Sequence, residues 1–305
     1  MDCLTQLNQN SPIASSDSRL LPHVVIKSGL FLRHGDNQKI QRFFCKTCRK
    51  SFSTESKSPL KYQKKRHLND MVFELFASAV SQRRVARILS INRKTAVRKF
   101  VLLGKICLQD IEQKKHLPQR PMGDFIFDEM ETFEHTKMKP LSIVMAVEDK
   151  TRLILDFKVS SMKAKGLLAA PARKKYGFRK DDRKKNLNAL LKNLRTFGHP
   201  VIIKSDMNPH YPHPVKRFFP KSCHFVFKGK RGCVVGQGEL KAGGFDPLFS
   251  FNHTAAMLRA NINRLARRTW NTTKKPEGLI YHIAIYVFYH NLRLLKNVPL
   301  PFNNS

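Results

Sequence analysis

Two aspartates stand out in a chain that has few acidic residues. Lys and Arg number 57 against 22 Asp and Glu, so a carboxylate at the end of an apolar run is conspicuous. Asp128 follows FIF in the stretch GDFIFDEMETF, and Asp206 follows VIIKS. The apolar, β-branched and aromatic content of both runs predicts β-strands. Strand ends of a mixed sheet are a common mounting for reactive groups. Two carboxylates brought together there repel one another unless a cation lies between them, and Mg2+ or Mn2+, with its preference for oxygen, suits such a pair. Two such ions can activate a water or a 3′-hydroxyl and stabilise the leaving oxygen of a phosphodiester. Taken singly, either aspartate reads as an ordinary strand-terminal residue, so the chemistry lies in the pair.

A second group with chemical potential is Cys45 and Cys48 in FFCKTCRKSF. Two thiolates three residues apart can share one face of a tetrahedral Zn2+ site. The spacing supplies half a site. A second pair would fall near Ser15 and Ser18, which are serines, leaving His23 and His34 as the remaining candidate ligands. The alternative is a pair of buried or free thiols. The other cysteines, Cys3, Cys107, Cys223 and Cys233, show no short spacing, which points to a reducing compartment rather than a disulfide framework.

The elements that must position these groups follow from periodicity. Residues 1–22 are rich in Ser, Asn and Gln and read as a loosely held N-terminus. Short alternating stretches from Val24 to Phe52 predict two or three small strands joined at Gly29 and Gly35. Apolar residues then recur at helical spacing (Val72, Leu75, Phe76, Ala79; Val85, Ile88, Leu89; Ala96, Val97, Phe100, Val101), predicting three consecutive helices. The stretch EQKKHLPQRP reads as a linker. Beyond it, GDFIFDEMETF, LSIVMAV and RLILDFKV predict three strands, followed by a basic helix near 183–197 and the strand VIIKSD. Helical periodicity returns from about 252 to 295, broken at NTTKKPEG. The resulting domains are 1–22, a zinc-ribbon-like 23–58, a helical 59–110, a linker 111–121 and a mixed α/β domain 122–305.

Within the helical region, SQRRVARILSINRKTAVRKF has the pattern of a helix-turn-helix. Ala86 occupies the tightly packed position, Ile91 is an apolar plug, and Asn92 caps a second helix starting at Arg93. That helix offers Arg93, Lys94, Thr95, Arg98 and Lys99 to phosphates and base edges. The formal net charge of +35 agrees with a polyanionic partner whose binding weakens with salt. Composition excludes a disordered chain, since 41% of residues are hydrophobic. No stretch reaches the roughly 18 apolar residues of a membrane span, and the N-terminus lacks a signal-peptide pattern. A cytoplasmic, nucleoid-associated protein is therefore expected.

The order of half zinc ribbon, helix-turn-helix, first Asp strand, second Asp strand and terminal helix (FNHTAAMLRANINRLARRTW) resembles that of bacterial insertion-sequence transposases, over roughly residues 24–295. The resemblance implies a ribonuclease H-like α/β domain with a DDE triad. It also implies two Mg2+ or Mn2+ ions, strand cleavage at element ends and transfer of the 3′-hydroxyls to target DNA. Asp128 matches the first carboxylate and Asp206 the second. Where such transposases carry a Glu on the last helix, this chain has Asn252, with Arg259 seven residues later. An Asn oxygen can ligate a hard cation but removes one negative charge. Glu239, in the glycine-rich GQGELKAGG, is the competing third ligand. Arg259, Arg264, Arg267 and Arg268 are positioned to grip DNA, while Trp270 belongs with core packing and Tyr289, His290 and Asn291 are further candidates to reach the site. A homodimer or larger assembly on DNA follows from the need to hold two element ends. Two rival readings are a non-catalytic DNA-binding descendant and a ribonuclease H-like nuclease acting on RNA or hybrids.

Overall fold

The computed structural model describes residues 24–34, 37–228, 246–266 and 271–295. Ser15, Ser18, His23, Gly35, Glu239, Arg267, Arg268 and Trp270 fall outside the described residues, as do Cys3 and Cys233. The chain divides into two compact units, one up to Asn69 and one from Asp70 onward. In the described residues of the first, β1 (Val25–Leu32), β2 (Lys39–Cys45) and β3 (Ser51–Ser53) form an antiparallel sheet. Gly29 does not join two strands, as its turn chemistry suggested; it lies inside β1. Its φ of +87° sits where the β1–β2 register shifts between Lys27 and Leu30, a bulge that only a residue free of Cβ enters cheaply.

The second unit opens with α1 (Asn69–Ala77, its first residue belonging to the preceding unit), α2 (Gln82–Ile88) and α3 (Arg93–Glu112). Local side chains set these boundaries. The Ser81 hydroxyl accepts the Arg84 amide N–H at the start of α2, and Asn92 Oδ1 accepts the Lys94 amide N–H at 2.8 Å at the start of α3. Between them Ser90 adopts φ +48° and Ile91 is buried, its amide donating to the Ala86 carbonyl. The tight turn and apolar plug expected from the sequence are both present. The segment 111–121 is no tether: α3 continues through Glu112, and His116 is buried with Nε2 donating to the Leu155 carbonyl at 3.1 Å.

A mixed five-stranded sheet follows, flanked by helices. Its strands are β4 (Phe125–Phe133), β5 (Pro140–Glu148), β6 (Ile154–Ser161), β7 (Ile202–Asp206) and β8 (Cys223–Phe227). Their order is β6-β5-β4-β7-β8. β4, β5 and β6 pair antiparallel, whereas β7 runs parallel to β4 and β8 parallel to β7. α4 (Ala169–Tyr176), α5 (Arg183–Arg195) and α6 (Pro212–Phe218) fill the crossovers. β5 is apolar without alternation because both its faces are covered.

One face packs Phe125, Phe127 and Ile203 on Leu187, Leu190 and Leu194 of α5 and on Val215 of α6. Truncating a fully buried leucine such as Leu190 to Ala would cost about 2–5 kcal/mol. Against the sheet also pack α7 (Phe249–Asn261), on β4 and β5, and α8 (Pro276–Leu294), on β6. Pro276 occupies the first turn of α8, where its missing N–H costs nothing. α3 in turn lies along α8, so closely that a Cβ on Gly104 would overlap the Cβ of Tyr281. Glycine is the residue that permits this approach. Among the described residues no helix is long and apolar enough to cross a membrane.

Candidate active site

The parallel pairing of β4 with β7 brings the two aspartates together. Phe125 faces Ile203 and Ile126 faces Lys204. Continued two residues along each strand, that register sets Asp128 beside Asp206. Side chains alternate across a strand, and Phe125, Phe127 and Ile203 point into the α5/α6 core. Asp128, Lys204 and Asp206 therefore belong to the opposite face.

Asp128 Oδ1 accepts the Glu129 amide N–H at 2.6 Å and the Tyr211 hydroxyl at 3.2 Å. Tyr211 is buried with its ring against Phe127, the centroids 4.9 Å apart. Burial, and then the charge of Asp206, push the Asp128 carboxyl up to about 7, against the smaller opposing effect of its two donors. Burial and the neighbouring Asp128 likewise push the Tyr211 hydroxyl well above the usual phenol range. Asp206 Oδ1 accepts the Asn208 amide N–H at 3.1 Å, turning the chain sharply out of β7. The result is two neighbouring carboxylates whose joint ionisation is resisted, a condition that a divalent cation relieves.

Lys204, two residues before Asp206, does not neutralise the pair. Its Nζ lies 2.7 Å from Asp149 Oδ2, and Asp149 Oδ1 accepts the Ser250 hydroxyl at 2.9 Å. Burial pushes the Asp149 carboxyl up, but the bonds from Lys204 and Ser250 outweigh it and leave the group below its ordinary range. This chain of contacts ties the first turn of α7 to the strand that carries Asp206.

The residues expected to join the pair are placed less directly. Asn252 is exposed on α7, and its Nδ2 donates to Asp246 Oδ2 at 2.9 Å. Among the described residues no hydrogen bond joins it to Asp128 or Asp206, and no group of three or more His, Cys, Asp or Glu is arranged to hold a metal ion. Arg259 is exposed two turns further along α7. Arg264 is not on that helix. The Asn261 carbonyl accepts the Ala79 amide N–H at 2.9 Å, Ile262 turns extended, and Arg264 follows in a short 3-10 turn, Asn263–Leu265. Tyr289, His290 and Asn291 do structural work instead. Asn291 pairs with both backbone groups of Ile154, His290 donates to the Arg152 carbonyl, and Tyr289 packs on Phe73.

On α3, Arg93, Lys94 and Arg98 are exposed and Thr95 is half-buried, one basic face at the start of the helix. Lys99 is the exception among the residues expected there. It is 2% exposed, because its position falls on the face that also buries Ala96 and Phe100. In the N-terminal unit Cys45 and Cys48 form one knuckle, the Cys48 amide N–H donating to Cys45 Sγ at 3.5 Å. His34 is exposed.

Sequence reasoning missed Tyr211 and the Lys204–Asp149–Ser250 chain. Tyr211 had a signal: the turn-forming DMNPH after β7 predicts a chain reversal that returns the next aromatic toward the strand it left. The Lys204 contacts had none, because they join residues far apart in sequence. No protein-family model matches this chain, and no curated protein sequence matches it.

Proposed function

We propose that the protein is a DNA transposase, a metal-dependent enzyme that binds the ends of an insertion sequence, cleaves strands there and joins them to target DNA. The observation that carries this reading is the Asp128–Asp206 pair on adjacent parallel strands, in no ion pair with a cation among the described residues, in a chain with a formal net charge of +35. The mixed order of three antiparallel strands followed by two parallel ones, with helices on the sheet, supports a ribonuclease H-like domain. In this reading Asp128 and Asp206 hold Mg2+ or Mn2+, which when bound supplies charge stabilisation for an attacking oxygen and a leaving oxygen. Tyr211 orients Asp128 through its hydroxyl. Arg93, Lys94, Thr95 and Arg98 hold the duplex through their exposed face on α3, and Arg259 and Arg264 add contacts to the strands. Phosphoryl chemistry asks mainly for positioning and charge stabilisation, so a small site suffices.

The test is strand cleavage of linear DNA carrying the flanks of the protein's own gene, with Mg2+ or Mn2+, for wild type and Asp206→Ala. Cleavage should fall about a hundredfold or more in the variant, while a mobility-shift assay shows the same DNA affinity. Cleavage that persists in Asp206→Ala would remove the pair from the chemistry. A second reading, a DNA-binding regulator without catalysis, is favoured by the engagement of Asn252 with Asp246. Tight binding without cleavage by the wild type under either metal selects that reading.

A further inference from the structure

Away from the aspartate pair, a cavity of about 400 Å3 opens beside the helix-turn-helix, within the range of about 300–1,000 Å3 usual for ligand sites. Four cations line it from four separate segments: Arg83 on α2, Arg93 on α3, Arg264 in the 3-10 turn after α7, and Lys274 just before α8. Among the described residues no carboxylate is in the lining, and none of the four is in an ion pair. Arg83, Arg93 and Lys274 are exposed, and Arg264 is the partly buried member, the one whose unpaired charge gains most from an anion.

Arg264 is the centre of this arrangement. Its guanidinium lies over the Phe100 ring, 5.3 Å from the centroid, and burial pulls its pKa below the usual arginine value. A Cβ built on Gly278 would come within 3.3 Å of Arg264 Nη1, so the first turn of α8 leaves room for the guanidinium. His282 stands behind it. Its Nε2 donates to the Phe76 carbonyl at 2.9 Å, and its Nδ1 is buried with no hydrogen-bond partner among the described residues. Polar groups from Ser81, Asn263 and Thr272 add to the lining.

We infer that this cavity is a phosphate seat, built to take one phosphate group between the helix-turn-helix and the 3-10 turn that follows α7. The inference rests on the DNA-binding part of the proposed function for its expected occupant, a backbone phosphate of bound duplex. The same chemistry would take a free phosphate anion. Arg264 supplies a planar set of donors from the cavity wall, while Arg83, Arg93 and Lys274 close around the anion from its rim.

Thermal unfolding of the full chain with added inorganic phosphate, at ionic strength matched with chloride, tests the seat. The wild-type Tm rises with phosphate, and the apparent affinity drawn from that rise falls about tenfold in Arg264→Gln and Lys274→Gln, each of which removes a charge-assisted bond. Lys185→Gln, which removes an exposed charge on α5 elsewhere, keeps the wild-type response. Lys274 is exposed, so Lys274→Gln decides the matter if Arg264→Gln fails to fold. Gly278→Ala changes no charge yet weakens the response by crowding Arg264. A phosphate response equal in wild type, Arg264→Gln and Lys274→Gln overturns the inference. Salt titration of duplex binding identifies the source. A slope of log affinity against log salt reduced by about 0.9 in Lys274→Gln assigns the seat to a DNA phosphate; an unchanged slope with a lost phosphate response assigns it to a free anion. Neither arm depends on strand cleavage, so failure of the catalytic reading leaves this test intact.

Discussion

Glu148 and Asp128 lie on neighbouring strands of one sheet, and their surroundings treat negative charge in opposite ways. Arg120 clasps Glu148 with two bonds, of 2.8 and 2.6 Å, the Gly123 amide N–H adds a third at 2.9 Å, and the Thr151 hydroxyl adds a fourth. Burial raises the Glu148 carboxyl, but these donors win and it ends below its ordinary range. Asp128 has one amide, one phenol and a second carboxylate beside it, and ends near 7. In a protein with 57 Lys and Arg, a cation was within easy supply for both. Glu148 receives an arginine among its donors, whereas the donors to Asp128 and Asp206 are amides and a phenol, with no cation in an ion pair to either among the described residues.

The sharpest break of this contrast removes the satisfied charge. Glu148→Gln should destabilise the protein by about 2 kcal/mol, discounted because Arg120 is 42% exposed, as read by urea unfolding at neutral pH. A loss below a few tenths would mean that the clasp is as idle as a surface ion pair.

Asp128→Asn should act in the other direction. The folded pKa of Asp128, about 7, lies above the unfolded value of about 3.9. Its contribution to stability is therefore complete below about pH 4 and is lost as pH rises through about 7. Wild type should lose about 1–2 kcal/mol between pH 5 and pH 8 relative to Asp128→Asn, the figure being reduced for the partial exposure of the site. Mg2+ at pH 8 should raise the wild-type Tm and leave that of Asp128→Asn unmoved. Parallel pH profiles for the two proteins would show that Asp128 is not strained in the folded state.

The smallest effect belongs to Tyr211→Phe, which deletes one donor to Asp128 and costs about 0.5–1.5 kcal/mol. The hydroxyl holds the Asp128 pKa down, so its loss should move the pH-dependent fall in stability upward. A downward move would reverse the role assigned to the phenol.

What could be read before any fold was known was what depends on near neighbours. The turn from Ser90 to Asn92 is local: the plug, the left-handed residue and the cap lie within three positions, and α3 begins at Arg93 as its cap requires. Asp128 and Asp206 were legible as ends of apolar runs. Their meeting depends on the β4–β7 register, which joins segments separated by two strands and two helices. Lys99 shows the limit from the other side, since residue type suggested a DNA contact while the helical face it occupies is buried. Arg264 falls in the periodic stretch FNHTAAMLRANINRLARRTW, but the helix ends at Asn261, whose carbonyl accepts the amide N–H of Ala79, far away in the chain. β8 and α6 carry no such signal: Pro212 and Pro214 argue against a helix in PHPVKRF, and the burial of CHFVF does not alternate regularly.

α3 and α8 meet closely at Gly104. α3 is a single helix of 20 residues, about 30 Å long at 1.5 Å per residue, and it is clamped along its length rather than hinged after the turn. The start of α3 and the sheet that bears the aspartates belong to one compact unit. Under the proposed function the helix is a ruler: the strand break falls at a set number of base pairs from the recognised sequence. Inserting or deleting base pairs between the recognised sequence and the element end should leave the break at the same distance from the recognised sequence and so move it off the element end.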